Sequence, residues 1–486
     1  MKKIALLNYV LITFLLLFIN TNASAQLENA NWYFGIEAGI NFNDGTQTPT
    51  VLTDNPLYFP NASASVSDEF GNLLFHTDGE NIYNKNHNVM LNGSGLYGDA
   101  ESSTVLIVKK PLSLNSYYVF TTEANLSSNN GLNYSIVDNS LGILNLGGVL
   151  TKNVNLLPQA SQKMAVTRST DGVNYWLIVL APSTDPTVSD TLYSFKIDAS
   201  GISLENQTTF AFSGDMHNAE GQMKVSADNQ TIGLVHNTID SSTGITTNVF
   251  TFDFDDLTGL TSNMKSSFGL TDSYVNYGIE FSPDSNMMYV SEVSDVTDIT
   301  GKLYQIQHRD TMPELTKYLV HDNLRWGAIY AIQRRADDGK IYTAPDPDYL
   351  GIIDNPNGVG VNCNYIYNGI ELDAYEIGPD KGLPQLVPEI ITEPEIVIVS
   401  ILKSSPKVMG NPFNDELKIE FEENRTYTTK LYDSSGLLAK TDVFTNSNYK
   451  NVHKISTSDL QSNNTYFIVI EDEDSKVWHN KAFKIE

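Results

Sequence analysis

One pattern recurs along this chain and narrows its fold more than any other feature: a short apolar strand, a turn rich in Ser, Asp, Asn and Gly, then a strand rich in aromatic residues. It occupies residues 64–75, 165–178, 224–235, 280–290 and 331–342, with a looser copy at 105–120. Each copy is a hairpin signal, because Gly, Asn and Asp tolerate turn dihedrals that other residues resist. After most copies a further aromatic strand follows, as at 192–198, 249–254 and 303–306. Units of three or four strands recurring roughly every 40 to 60 residues match a β-propeller, in which one four-stranded blade takes about 40 residues plus loops. The chain is therefore predicted to be all-β, a six- or seven-bladed β-propeller. The strand from Trp32 to Gly35 and the segment 365–372 are available to complete or close the ring. A β-solenoid is disfavoured, since its rungs are shorter and more uniform.

The texture changes after Leu383. Pro384, Pro388, Pro394 and Pro406 punctuate an apolar and acidic stretch that reads as an extended linker. Beyond it, alternating strands at 417–421, 429–433 and 466–470 predict a small immunoglobulin-like β-sandwich. The expected organisation is a leader over 1–25, the propeller over 26–386, the linker over 387–404 and the sandwich over 405–486.

The leader follows from Met1-Lys2-Lys3, an apolar run from Ile4 to Ile19 broken only by Asn8 and Thr13, and Ala23-Ser24-Ala25. A positive start, an apolar middle and a small-x-small site make a secretory signal peptide, with cleavage expected between Ala25 and Gln26. No second such apolar stretch follows, so no stable transmembrane anchor is expected, and no nearby cysteine offers a point of lipid attachment. Cys363 is the single cysteine. Core burial rather than internal disulfides must hold an exported chain of this length. The thiol reads as a small buried hydrophobe in a strand-like segment. The net charge is −28, from 58 acidic and 30 basic residues. Binding to phosphate backbones needs concentrated Lys and Arg, so nucleic acid is not an expected partner. Acid spread in this way suits a surface that resists aggregation.

Several motifs in the last part of the chain belong together. Asn411-Pro412-Phe413-Asn414-Asp415 precedes the first strand, and Leu431, Tyr432, Asp433 and Gly436 follow in the middle. Residues 455–460, Tyr466 in the late strand, and residues 481–485 complete the set. In these features residues 405–486 resemble the type A C-terminal sorting domain of the type IX secretion system. The family's Gly before the late-strand Tyr is replaced by Asn464-Thr465, and its basic terminal residue by Glu486. The resemblance implies recognition by the type IX secretion machinery and passage across the outer membrane. A looser likeness rests on residues 31–35, 71–79, 83–87, 221–226, 277–284 and 382–385. Through these, residues 30–386 resemble repeat domains of gliding-motility-associated surface proteins, which implies a surface location and a propeller architecture but no activity.

Catalytic signatures are absent from the sequence. Residues 169–176 approach the Asp-box of sialidase-like propellers, but Gly172 falls one place early and Asp171-Gly172 reads as a hairpin turn. Glu220, Glu280 and Asp284 occupy corresponding parts of two adjacent units and are the candidates for a carboxylate pair at the channel, although repeat geometry alone would align them. His76, His87, His217 and His236 show none of the spacings of a zinc site and read as turn or channel residues. Calcium is the one cofactor with raw material, in Asp253, Asp255 and Asp256 or in Asp295 and Asp298 before Gly301. Neither segment has the alternating acids, central Gly and closing Glu of an EF-hand loop, so both read as solvated loops. No Gly-x-Ser-x-Gly elbow or phosphate loop occurs. The expected function is a binding or adhesion module for a glycan or protein ligand, displayed on the cell or released. A secreted hydrolase of glycans or peptides is the alternative, and it requires convergent acids at the channel mouth.

Overall fold

The computed structural model describes residues 27–485 apart from 43–48, 60, 62, 103, 125–129, 182–189, 211–215, 218–219, 241–243, 272–273, 295–300, 310–316, 324–327, 336, 347, 373–380, 388–405, 410, 422–424, 435, 447–450 and 474–476. The expected leader, with Ala25 and Gln26, and residues 388–404 of the expected linker lie outside the described residues.

Copies of the recurring pattern fold as antiparallel hairpins, and their turns explain the residues found there. Asp68 accepts the backbone N–H groups of Phe70 and Asn72 (both 2.9 Å), and Asp171 those of Val173 (2.8 Å) and Asn174 (2.9 Å). Asp284 accepts that of Asn286 (3.1 Å). In each case a short carboxylate closes the turn locally. The left-handed residue each turn needs is Gly71 (φ 79°) or Gly172 (φ 71°), and where no glycine is present it is Asn229 (φ 56°) or Ser285 (φ 59°). The looser copy at 105–120 turns differently. Its bend is built on Lys110 and Pro111, and Leu112 takes φ 60°, a conformation that disfavours a branched side chain by about 1–2 kcal/mol.

The hairpins extend into seven blades of a ring, spanning residues 31–59, 64–94, 105–157, 164–209, 216–271, 274–323 and 332–371. Blades 2 and 3 form one continuous eight-stranded sheet, because their outer strands, Val89–Ser94 and Gly148–Leu157, meet in a single parallel pair, Leu91 with Gly148. One strand of each blade packs on the next. The series runs β1 (Asn31–Ile36), β2 (Ala64–Ser67), β3 (Val105–Lys109), β4 (Met164–Arg168), β5 (Met223–Val225), β6 (Tyr274–Phe281) and β7 (Ile332–Arg334). Blade 7 returns to blade 1, where Trp32, Phe34 and Ile40 share a core with Tyr342, Leu350 and Ile370. The rings of Trp32 and Tyr342 meet edge to face at 5.4 Å. The Trp32 strand thus belongs to a blade of its own, and Tyr365–Glu371 is the last strand of the seventh.

Residues 381–387 cross the seam where the ring closes. Ala331 N donates to Lys381 O and Gln385 N to Ser63 O, both at 3.1 Å. Gly382 runs so close to the link between blades 1 and 2 that a Cβ there would stand 1.8 Å from the Asn61 carbonyl oxygen, so no other residue fits without moving backbone. Cys363 is buried among Met287, Tyr289 and Ile341. It lies in the short 3-10 turn Gly360–Cys363 rather than in the strand-like segment the sequence suggested, because Gly360 and Asn364 take φ of 56° and 54° and fold the chain back.

The C-terminal part forms a two-sheet sandwich. One sheet holds Lys407–Met409, Glu416–Phe421 and Asn451–Ser456, and the other Leu438–Thr445, Thr426–Tyr432, Asn464–Asp472 and Val477–Lys484. Leu417, Ile419, Phe421, Leu431, Tyr466, Ile468 and Ile470 fill the space between them. Their every-other-residue spacing is what a half-buried strand requires. Among the described residues no helix is long and apolar enough to cross a membrane.

Candidate functional site at the mouth of the ring

Inside the ring, Lys224 of β5 reaches across to β7 and to the closing segment. Its Nζ donates to Gln333 Oε1 (2.6 Å) and Gln385 Oε1 (2.7 Å) and lies 3.7 Å from Glu280 Oε2. Glu280 of β6 accepts the backbone N–H of Phe281 (2.8 Å) and of Arg334 (2.9 Å), and the Arg334 Nε lies 3.8 Å from its Oε1. Burial pulls the Lys224 ammonium down to about 8, against the opposing pull of Glu280. The single carboxylate here is committed to two cations and two backbone donors, which makes this set a fastening of the ring. The three acids proposed from sequence are not brought together. Glu280 is buried in that set, and Asp284 sits in the adjoining turn, bonded by Ser282 Oγ at 2.6 Å. Glu220 is exposed ahead of β5 and uses its backbone carbonyl to accept Lys163 Nζ at 2.6 Å. Lys163 is fully buried, and burial pushes its ammonium down to about 7.

Two of the four histidines meet. His87 Nδ1 and His76 Nε2 are 3.0 Å apart at the seam of blades 1 and 2, and His87 Nε2 lies 3.5 Å from Asp54 Oδ2. Tyr33 and Tyr83 pack on the His76 ring. Burial, with His87 adding to it, lowers the His76 imidazole to about 3. His236 is buried 3.9 Å from Asp190, and His217 lies in the short strand Met216–His217. Among the described residues no three His, Cys, Asp or Glu side chains assemble to hold a metal ion. The acids considered for calcium diverge: Asp253 bonds Asn263, Asp255 holds Thr258, and Asp256 accepts the N–H of Thr170. Asp295 and Asp298 lie outside the described residues, and Gly301 begins the strand Gly301–Ile306.

A cavity with a volume of about 310 Å³ opens between the hairpin turns of blades 3 and 4. Val66, Ile107, Pro111, Leu112 and Val173 make it largely apolar, Tyr117 and Tyr175 stand in its wall, and Gln385 and Val387 of the closing segment reach it. Three cations, Lys109, Lys110 and Arg168, line it with a single acid, Glu28, which lies 3.8 Å from Lys109. The strained Leu112 turn is part of its rim. Sequence reasoning missed this site. Its basic residues come from two hairpins some sixty residues apart, and the one local signal was the looser copy, whose Lys109-Lys110-Pro111-Leu112 replaces the usual acidic turn.

The residues proposed for the sorting motif have structural places. Phe413 is buried and tied to the last strand, its N–H donating to Phe483 O (2.9 Å) while Ile485 N donates to Phe413 O (2.8 Å). Asn411 accepts the N–H of Phe483 at 2.8 Å, the exposed Pro412 follows it, and the carbonyls of Asn414 and Asp415 receive Thr457 Oγ1 (2.9 Å) and Thr457 N (2.7 Å). Asp433 caps the hairpin turn in which Gly436 takes φ 82°. Leu431 and Tyr466 are core residues, and Tyr432 is half-buried. Residues 407–484 match the family described as secretion system C-terminal sorting domain. The sandwich is an export domain. It sends the chain, by way of the type IX machinery, across the outer membrane to the cell surface or beyond. No curated protein matches the sequence. Among solved structures, similarity extends to a hypothetical selenium-binding protein from Sulfolobus tokodaii (9% identity over 71% of this chain and 94% of that one, TM-score 0.39). It extends also to a Mycobacterium tuberculosis puromycin-hydrolyzing peptidase (12%, 83% and 60%, 0.37) and a Synechocystis apocarotenoid oxygenase (10%, 70% and 72%, 0.33). Likeness at this level to a peptidase and an oxygenase alike carries no chemistry over to this chain.

Proposed function

We propose that the exported chain is a binding module whose ring takes its ligand in the cavity between the hairpins of blades 3 and 4. The observation that carries this reading is the composition of that cavity: apolar and aromatic walls, three cations and one carboxylate. Loops held on a scaffold are where binding residues concentrate, and a concave, mostly apolar space with a few charged groups is the usual form of a ligand site. Hydrolysis of a glycoside by the common route needs two carboxylates about 5–10 Å apart. Among the lining residues the one carboxylate is Glu28, and the neighbouring Glu280 faces Lys224 and Arg334, so binding is favoured over hydrolysis. Retained at the surface, such a module serves adhesion, in keeping with the resemblance of residues 30–386 to gliding-motility-associated surface proteins. The test is an array of glycans and extracellular proteins probed with the mature protein and with Val173→Asp, a change at an exposed rim position. Hits that the variant loses support the reading. An array without hits, or hits the variant keeps, would overturn it.

A further inference from the structure

The geometry points to a small organic carboxylate with an apolar body as the ligand of this cavity, its carboxylate seated on Arg168; the assignment rests on the cavity being the binding site. Arg168 is singular among the described arginines. Arg309 faces Asp228, Arg334 faces Glu280, Arg335 faces Asp337 and Asp338, and Arg425 faces Asp472. Among the described residues no carboxylate faces Arg168, and its Nε, like those of Arg334 and Arg335, is buried with no hydrogen-bond partner. In a chain with 58 acids to 30 bases, a guanidinium left without an acid is unexpected on composition alone. A buried donor without a partner is also unfavourable until one arrives.

The surroundings of Arg168 favour an anion further. The guanidinium lies 5.5 Å from the centroid of the Tyr175 ring, so the aromatic face steadies it from one side. Lys110 has no carboxylate within ion-pair distance among the described residues, and Lys109 has only Glu28, at 3.8 Å. The lining therefore carries a local excess of positive charge on a molecule whose net charge is −28. The planar fork of a guanidinium matches two carboxylate oxygens at once, which no single ammonium does. The apolar part of the lining selects the body of the ligand. The side chains of Val66, Ile107, Pro111, Leu112 and Val173 offer no hydrogen bonds to hydroxyl groups, while Asn29, Ser65, Ser113 and Gln385 are its uncharged polar remainder. About 310 Å³ is the lower end of ligand-cavity sizes, which suits a ring or short branched chain rather than a sugar polymer.

Calorimetry on the full mature protein at low salt tests this with 3-phenylpropanoate as probe, 3-phenylpropan-1-ol as its uncharged counterpart and galacturonate as a polar acid. The acid is expected to bind at least tenfold more tightly than the alcohol or galacturonate, and to weaken as salt rises. Arg168→Gln is expected to lose at least tenfold in affinity and Lys110→Gln less, with unchanged circular dichroism. No binding of the probe, equal binding of acid and alcohol, or an unaltered Arg168→Gln affinity overturns the assignment. Tighter binding of galacturonate overturns the apolar body. Array hits that depend on Val173 but not on Arg168 overturn the carboxylate and leave the binding function standing.

Discussion

Removing the Glu280 carboxylate should loosen the whole ring. Glu280→Ala takes away the acceptor of two backbone N–H groups, Phe281 and Arg334, and the counter-charge of Lys224 at 3.7 Å and Arg334 at 3.8 Å. Each orphaned buried donor costs about 1–3 kcal/mol, and breaking a buried ion pair by deleting one partner costs about 3–5 kcal/mol. These contributions overlap. Lys224, already drawn down to about 8 by burial and held up by Glu280, would lose that support and shed its proton near neutral pH, relieving part of the strain. The expected net loss is about 4 kcal/mol. Urea unfolding of the mature protein reads it through Trp32 and Trp176, both fully buried in the ring. Lys224→Met in the Glu280→Ala background should recover part of the loss, with a coupling of about 1–3 kcal/mol. A Glu280→Ala protein within about 1 kcal/mol of the parent, or a coupling near zero, would refute the view that this set fastens the ring.

Other outcomes follow from the same physics. His76 is held near 3 in the fold against 6.5 for the unfolded chain. Between those values the unfolded state binds the extra proton, so stability falls as pH drops through that window, by up to about 1.4 kcal/mol per pH unit; acid titration of unfolding should show a shallower fall for His76→Gln. Gly382→Ala puts a methyl where the Asn61 carbonyl stands 1.8 Å away, and thermal unfolding should report a loss of about 1–3 kcal/mol from overpacking. Deleting residues 405–486 should leave the protein in the periplasm, and fractionation that finds the truncated chain at the surface would count against the sandwich as the export signal. Tyr466→Ala, at a position 2% exposed in the sandwich core, should cost that domain about 3–5 kcal/mol.

Much of the architecture was legible because it is written in local chemistry. An acid that caps its own turn, a left-handed glycine or asparagine, and two strands of β-branched and aromatic residues need no distant partner to be recognised. That is why five hairpins stood out and the sixth, with Leu112 in place of glycine, read as loose. The period-two pattern of the C-terminal strands was legible for the same reason, whereas the motif around Phe413 was legible through its resemblance to a family of sorting domains. Blade number was not, since nothing local in the Trp32 strand says that its other face packs on Tyr342 three hundred residues later.

The sequence by itself determined the all-β class, the repeat, and the sorting domain that exports the chain. The tertiary structure decided the rest: seven blades, a closing segment in which Gly382 leaves no room for a side chain, and a buried Lys224–Glu280–Arg334 set in place of the candidate acid pair. It also decided which of the described arginines faces no described acid. Pairing of charges and enclosure of a cavity depend on through-space distances between blades, and those distances exist only once the ring has closed.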